Sequence, residues 1–100
     1  MKKFKDYPIS INEVIRAKAI VSNFLRATEL TYYTGLSKAI GTEIYIKHEN
    51  HNPTGTFKIR GGINLTHHLQ QAGIPGVITF STGNHGLSVA TSAKFATIML

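Results

Sequence analysis

Lys58 is the residue of this sequence best placed to do chemistry. It falls in the first turn of a helix predicted to begin near Thr56 or Phe57, where the positive end of the helix dipole disfavours an ammonium group. A crevice closing over the side chain would desolvate it as well. Both effects lower a lysine pKa, and a neutral amine can attack an aldehyde or accept a proton. Lys47 and Arg60 are near enough in sequence to add like-charge pressure. From position alone, an ordinary solvated lysine is the competing reading.

A second group is Ser81-Thr82-Gly83-Asn84-His85-Gly86. Here a short apolar run gives way to a helix start, bringing together free backbone amides, two hydroxyls and an Asn. That set suits a carboxylate or a phosphate. A simple capping loop, with Thr82 or Asn84 as the cap, is the plainer alternative. Other constellations carry less. His48-x-x-His51 and the His67-His68 pair have no carboxylate pattern to close a metal site, so no metal is expected. Asn64-Leu65-Thr66 fits a glycosylation sequon but falls mid-helix, and Phe57 interrupts the Gly-Lys pair a P-loop requires.

The elements that must hold these groups are legible from pattern. Ser10-Ile11-Asn12-Glu13 reads as a capping box, with Ile9 and Val14 set for a hydrophobic staple. It starts a helix over about 11–22 whose buried side is Ile11, Val14, Ile15, Lys18 and Val21. An extended stretch around 30–33 and a brief helix over 35–39, ending at Gly41, follow. Residues 43–49 alternate, with Ile44 and Ile46 on one face, and predict a strand. The Asn-, Pro-, Thr- and Gly-rich stretch 50–55 marks a loop. The helix carrying Lys58 runs to about Ala72, with Gly73 as its stop and Pro75 beyond. Strands at 76–80 and 96–100 flank a helix over about 85–94.

This alternation predicts an α/β fold with an open, mostly parallel three-layer sheet and ligands at the carboxyl ends of its strands. It puts loops 50–56 and 81–84 on one rim. The last strand has no partner in the sequence and the first helix has little to cover, so the fold is expected to be incomplete.

Bulk properties narrow the class. The 100 residues are 42% apolar and 16% charged, an ordinary globular mixture sufficient for one modest core. Without cysteine there is no disulfide framework and no thiol catalysis. A formal charge of +6 favours anionic partners in general, but beyond the Lys2, Lys3 and Lys5 cluster the basic residues are scattered. No aromatic-basic stripe resembles a nucleic-acid platform, so nucleic acid is not an expected partner. No stretch approaches the ~20 apolar residues of a membrane span, and no apolar run follows the basic N-terminus as a secretory signal would require. A cytoplasmic location is expected.

The string Lys47-His48-Glu49-Asn50-His51-Asn52-Pro53-Thr54-Gly55-Thr56-Phe57-Lys58-Ile59-Arg60-Gly61-Gly62 closely resembles the active-lysine segment of fold-type II pyridoxal-phosphate (PLP) enzymes. There a Lys-x-Glu strand leads into Pro-Thr-Gly-(Ser/Thr)-Phe-Lys-x-Arg-Gly. Ser81-Thr82-Gly83-Asn84-His85 resembles the Ser-x-Gly-Asn-His loop of the same enzymes. Two departures stand out. Arg26-Ala27-Thr28-Glu29-Leu30 occupies the place of the family's Arg-Thr-Pro-Leu, and 93–98 lacks the few residues, typically including a glycine, that separate helix from strand.

The resemblance covers most of residues 11–94, and its branch is that of threonine/serine dehydratases. It implies PLP as cofactor, Lys58 as the Schiff-base lysine and catalytic base, and Phe57 and Asn84 beside the ring, Asn84 at its 3′-oxygen. Ser81, Thr82, Gly83 and His85 would hold the substrate carboxylate. The implied reaction is α,β-elimination of threonine or serine to a 2-keto acid and ammonia; an amino-acid racemase of the same family shares the lysine. The implied fold is part of the tryptophan-synthase-β-like PLP fold. Residues 1–100 would be the N-terminal part of its catalytic domain, with a first helix at about 10–22 and most of the small domain at about 43–100. The glycine-rich phosphate loop and the ring-nitrogen partner are expected further along a longer chain, which would be a homo-oligomer. The other reading is a non-catalytic remnant or interaction module.

Overall fold

The computed structural model describes residues 9–100. The basic cluster at Lys2, Lys3 and Lys5 lies outside the described residues. Helix α1 (Ile11–Val21) begins at Ser10, whose hydroxyl accepts from the Glu13 amide at 3.3 Å. Only half of the expected capping box forms. The Glu13 carboxylate turns along the helix to pair with Arg16 instead of returning to the Ser10 amide, because a cation one turn away is a stronger partner than a backbone amide. The staple and the buried face are corrected too. Ile9, Ile11, Val14 and Ile15 are exposed, and Val21 alone on this helix is buried.

Strand β1 (Leu30–Tyr32) pairs antiparallel with β2 (Tyr45–Lys47), and Thr31 stands opposite Ile46. Between them α2 (Thr34–Ile40) stops at Gly41, whose φ of 83° is the left-handed conformation a glycine adopts without strain. Ile44 and Ile46 are half-buried while Tyr45 is exposed, as the alternation requires. The strand is shorter than the expected 43–49 at both ends, and beyond it Glu49–His51 winds into a 3₁₀ turn, where Glu49 is drawn toward Thr28 and Arg60 on other segments.

Helix α3 (Lys58–Gln71) and helix α4 (Asn84–Phe95) form the main packed layer. Ile59 and Ile63 project from α3 onto Val21 and Leu25, making a small core with Ile20 against it. On its other side α3 meets Ser88, Val89, Ser92 and Ala93 of α4, all buried. Phe24 and Phe95 stack at 5.4 Å between centroids. Gly73, at φ 76°, ends α3 while the Ile74 amide donates back to the Leu69 carbonyl at 3.0 Å.

The expected open, mostly parallel sheet is not present among the described residues. They contain the antiparallel β1–β2 pair and a single parallel bridge between Gly76 and Met99. That bridge is built by Val77 donating to the Met99 carbonyl at 2.7 Å and Met99 donating to the Pro75 carbonyl at 3.0 Å. The physical reason is the want of neighbours. Residues 77–80 follow the bridge without forming a ladder, and Ile78 and Phe80 are 97% and 99% exposed.

Candidate active site

Lys58 is the first residue of α3, just past the start expected near Thr56 or Phe57, and Phe57 stands at the N-cap position. No side chain caps this helix end. Lys58 remains exposed rather than covered by a closed crevice. Lys47 and Arg60, the two neighbouring cations in sequence, are each engaged elsewhere. The Lys47 ammonium donates to the Thr28 carbonyl, and Arg60 forms a two-pronged pair with Glu49, at 2.6 and 3.0 Å. Each cation is satisfied by a partner of its own.

Glu49 organises the segment leading to the lysine. Besides Arg60, it accepts from the Thr28 hydroxyl and from Asn52 Nδ2, the latter at 2.9 Å. Asn52 Nδ2 also reaches the Thr56 carbonyl at 3.1 Å, and the Gly55 amide donates to the Asn52 carbonyl at 2.7 Å. The turn needs Gly55, at φ 73°. Arg60 foremost, against the opposing pull of burial and with help from Thr28 and Asn52, lowers the Glu49 carboxyl from 4.5 to about 2. The same bond raises Arg60 above its ordinary value. Thr54 and Thr56 hydroxyls in this loop are buried without a partner.

Gly83 is the N-cap of α4, and Asn84 and His85 are its first two residues. Neither Thr82 nor Asn84 caps the helix, so the amides of its first turn keep no side-chain partner. The Gly83 amide donates to Ser81 Oγ at 3.3 Å, and Ser81 backs onto Gly86, where a Cβ would stand 3.2 Å from the Ser81 Cβ.

Phe57, Lys58 and His85 line one cleft of about 580 Å³ between α3, the start of α4 and the 77–79 segment. Ser81, Thr82, Gly83 and Asn84 lie exposed at the beginning of α4 and do not line that cleft. Its volume is in the range of small-molecule sites. Its walls include Phe57, Leu65, Val77 and Val89, with Lys58 as a primary amine at the rim. An aldehyde carried on a flat ring fits that donor set: an amine to condense with it and apolar walls for its faces. A second cleft, about 430 Å³ between α1 and α3, includes none of the expected site residues.

Two features were missed from sequence. Ser88 donates to the Lys58 carbonyl at 2.8 Å, and nothing in the local pattern of α4 marks it. The Glu49–Arg60 pair was visible only as two motif positions of opposite charge. His48 and His51 stack at 4.7 Å, and Tyr33 Oη lies 2.8 Å from His48 Nε2. Among the described residues no group of three or more His, Asp or Glu is disposed to hold a metal, and no helix is long and apolar enough to cross a membrane.

Residues 21–99 match the family described as "Pyridoxal-phosphate dependent enzyme". The chain is 39% identical over 87 residues to an L-threonine ammonia-lyase of Thermotoga maritima, covering 86% of this chain and 22% of that protein. It is 47% identical over 70 residues to one of Geobacter sulfurreducens, covering 69% of this chain and 17% of the relative. The structure is similar to maize serine racemase, with a TM-score of 0.85 and 31% identity over 92% of this chain and 29% of that one. It is also similar to serine racemase from Dictyostelium discoideum, with a TM-score of 0.84 and 27% identity over 90% of this chain and 30% of that one. The chain thus spans about a fifth of the length of the curated relatives named here.

Proposed function

The chain belongs to the family of pyridoxal-phosphate dependent enzymes, and on that premise we propose that it is the lysine-bearing part of a threonine or serine dehydratase. The observation that carries the reading is one cleft shared by Lys58 and His85, each at the start of its helix. Similarity to L-threonine ammonia-lyases supports the choice of reaction. Because the chain spans a fraction of its relatives, the complete reaction is proposed for a longer protein. In it, residues 43–100 would be most of a small domain and 76–80 and 96–100 would be strands of a larger parallel sheet.

When bound, the cofactor supplies an aldehyde for the amine and a ring that accepts the electrons released as the substrate's α C–H bond breaks. Lys58 would hold it, Asn84 would orient the ring, and Phe57 would pack beside it. The hydroxyls of Ser81 and Thr82 and the amides of Gly83 and His85 would take the substrate carboxylate, where the dipole of α4 favours negative charge. With the carboxylate fixed there, the Lys58 amine would take the α-proton. Loss of the β-hydroxyl, addition of water and release of ammonia would complete conversion to the 2-keto acid. Racemisation is the second reading, favoured by the two serine racemase structures; it would use the same amine to take the α-proton and would need a separate acid on the opposite face to deliver one.

The test is incubation with PLP, borohydride reduction and mapping of the labelled lysine, with Lys58→Ala as the control. Selective labelling of Lys58, with keto acid released from threonine by the longer protein, is expected. Loss of chirality without keto acid would favour the racemase. A folded chain with no label at Lys58 would favour the interaction module.

A further inference from the structure

Ser88 lies one turn beyond His85 on α4 and is 1% exposed. Its hydroxyl donates to the Lys58 carbonyl at 2.8 Å, across 30 positions of sequence. The approach depends on Gly62. A Cβ there would collide with Ser88 Oγ and Ser92 Oγ and stand 3.2 Å from the Ser88 carbonyl oxygen. Ser92, one turn further on, is fully buried too, yet its hydroxyl has no partner. The two serines share the packing against Gly62, and of the two only Ser88 holds the lysine's backbone.

That hold matters because α3 begins without a capping side chain. An uncapped first turn is the part of a helix most free to fray, and the first turn of α3 is where Lys58 stands. Ser88 is not a cap, which would accept from the free amides of that turn; it ties the turn to α4 by donating to a carbonyl. We infer that Ser88 is a positioning residue for the Lys58 amine. It fixes the first turn of α3 against the end of α4 that carries Asn84 and His85, and so sets where the amine stands relative to the amides there. The inference rests on the proposed role of Lys58.

The experiment compares the full chain with Ser88→Ala, Ser88→Cys and Ser92→Ala. Each is incubated with limiting PLP, reduced with borohydride and mapped by mass spectrometry, with urea unfolding recorded in parallel. The readout is labelling of Lys58 relative to Lys38 and Lys47. The unsubstituted chain and Ser92→Ala should label Lys58 preferentially. Ser88→Ala should lose that preference by roughly threefold to tenfold, the equilibrium factor of one neutral hydrogen bond. Ser88→Cys should fall between, since a thiol is a weaker donor.

Equal preference in the unsubstituted chain, Ser88→Ala and Ser92→Ala would overturn the positioning role and leave the Lys58 reading standing. Equal losses in Ser88→Ala and Ser92→Ala would overturn it as well, because packing at Gly62 would then be the cause. No preference for Lys58 in the unsubstituted chain would overturn both. Alanine is the better helix former, so α4 should accept it. If Ser88→Ala still fails to fold, undiminished preference in Ser88→Cys overturns the inference and a loss confined to it, with Ser92→Ala intact, supports it.

Discussion

Arg60 grips both carboxylate oxygens of Glu49, with Nε 2.6 Å from Oε2 and Nη2 3.0 Å from Oε1. Lys58 precedes that arginine by two residues. Through Asn52, the same carboxylate is tied to the Thr56 carbonyl at the other end of the loop. One acidic side chain therefore closes the lysine-bearing loop at both ends, and the pair is partly buried, with side-chain exposures of 31% and 22%.

Glu49→Gln keeps the shape and removes the charge. It should destabilise the fold by about 2 kcal/mol, the scale of hydrogen bonds to a charged group. Urea unfolding measures this, and an unchanged midpoint would show that the clamp contributes nothing.

The same carboxylate predicts a pH dependence. Its pKa is lowered on folding from 4.5 to about 2, so the folded state favours the ionised form. The stabilisation is complete above about pH 4.5 and is lost as pH falls through about 2. In Glu49→Gln this component is absent, and stability should decline less steeply across that window. Parallel acid limbs for the two proteins would contradict the assignment.

Gly61 and Gly62 are neighbours on α3 with opposite expectations. Alanine at 62 would meet both serine hydroxyls of α4 and should cost about 1–3 kcal/mol by overpacking. Alanine at 61 would meet nothing within 4 Å and should stabilise the helix by about 0.5–1 kcal/mol. Denaturant midpoints that move the same way in the two variants would refute the packing between α3 and α4.

Thr97 holds a φ of 56°, in the left-handed region that a β-branched residue rarely adopts. The Ile98 amide donates to the Ala93 carbonyl at 3.0 Å and the Thr97 amide to the Lys94 carbonyl at 3.2 Å, the pattern usually closed by glycine. Thr97→Gly should therefore stabilise the protein by about 1 kcal/mol. Thermal unfolding checks it; a lower melting temperature would mean that the threonine is held there by something more valuable than the strain it costs.

Ile78 and Phe80 present almost their whole side chains to solvent. Replacing both with Ser should reduce binding of an apolar fluorescent dye and keep stability within about 0.5 kcal/mol. A large loss of stability would show that these side chains are packed in solution.

What could be read from sequence was local. Ser10 as a cap, Gly41 and Gly73 as helix stops, and the course of α3 and α4 follow from rules spanning three or four residues. The loop composition before Lys58 and before Asn84 likewise marked both motifs. Near the end of α4, Thr97 holds the left-handed position that a glycine usually takes.

The contacts between segments were decided by the tertiary structure. Glu49 meets Thr28 and Arg60, and Ser88 meets Lys58, across separations of 11 to 30 residues. No periodicity encodes such pairings, because they depend on how packed helices bring distant backbone together. The buried face expected of α1 illustrates the same limit from the other side. Its apolar spacing specifies that one stripe could be covered, but whether Ile11 and Ile15 are buried depends on having a surface to meet. Sequence determined which residues could cap, turn or bear an amine; three-dimensional packing determined which of them meet, since burial and hydrogen bonding are properties of neighbours and not of a residue alone.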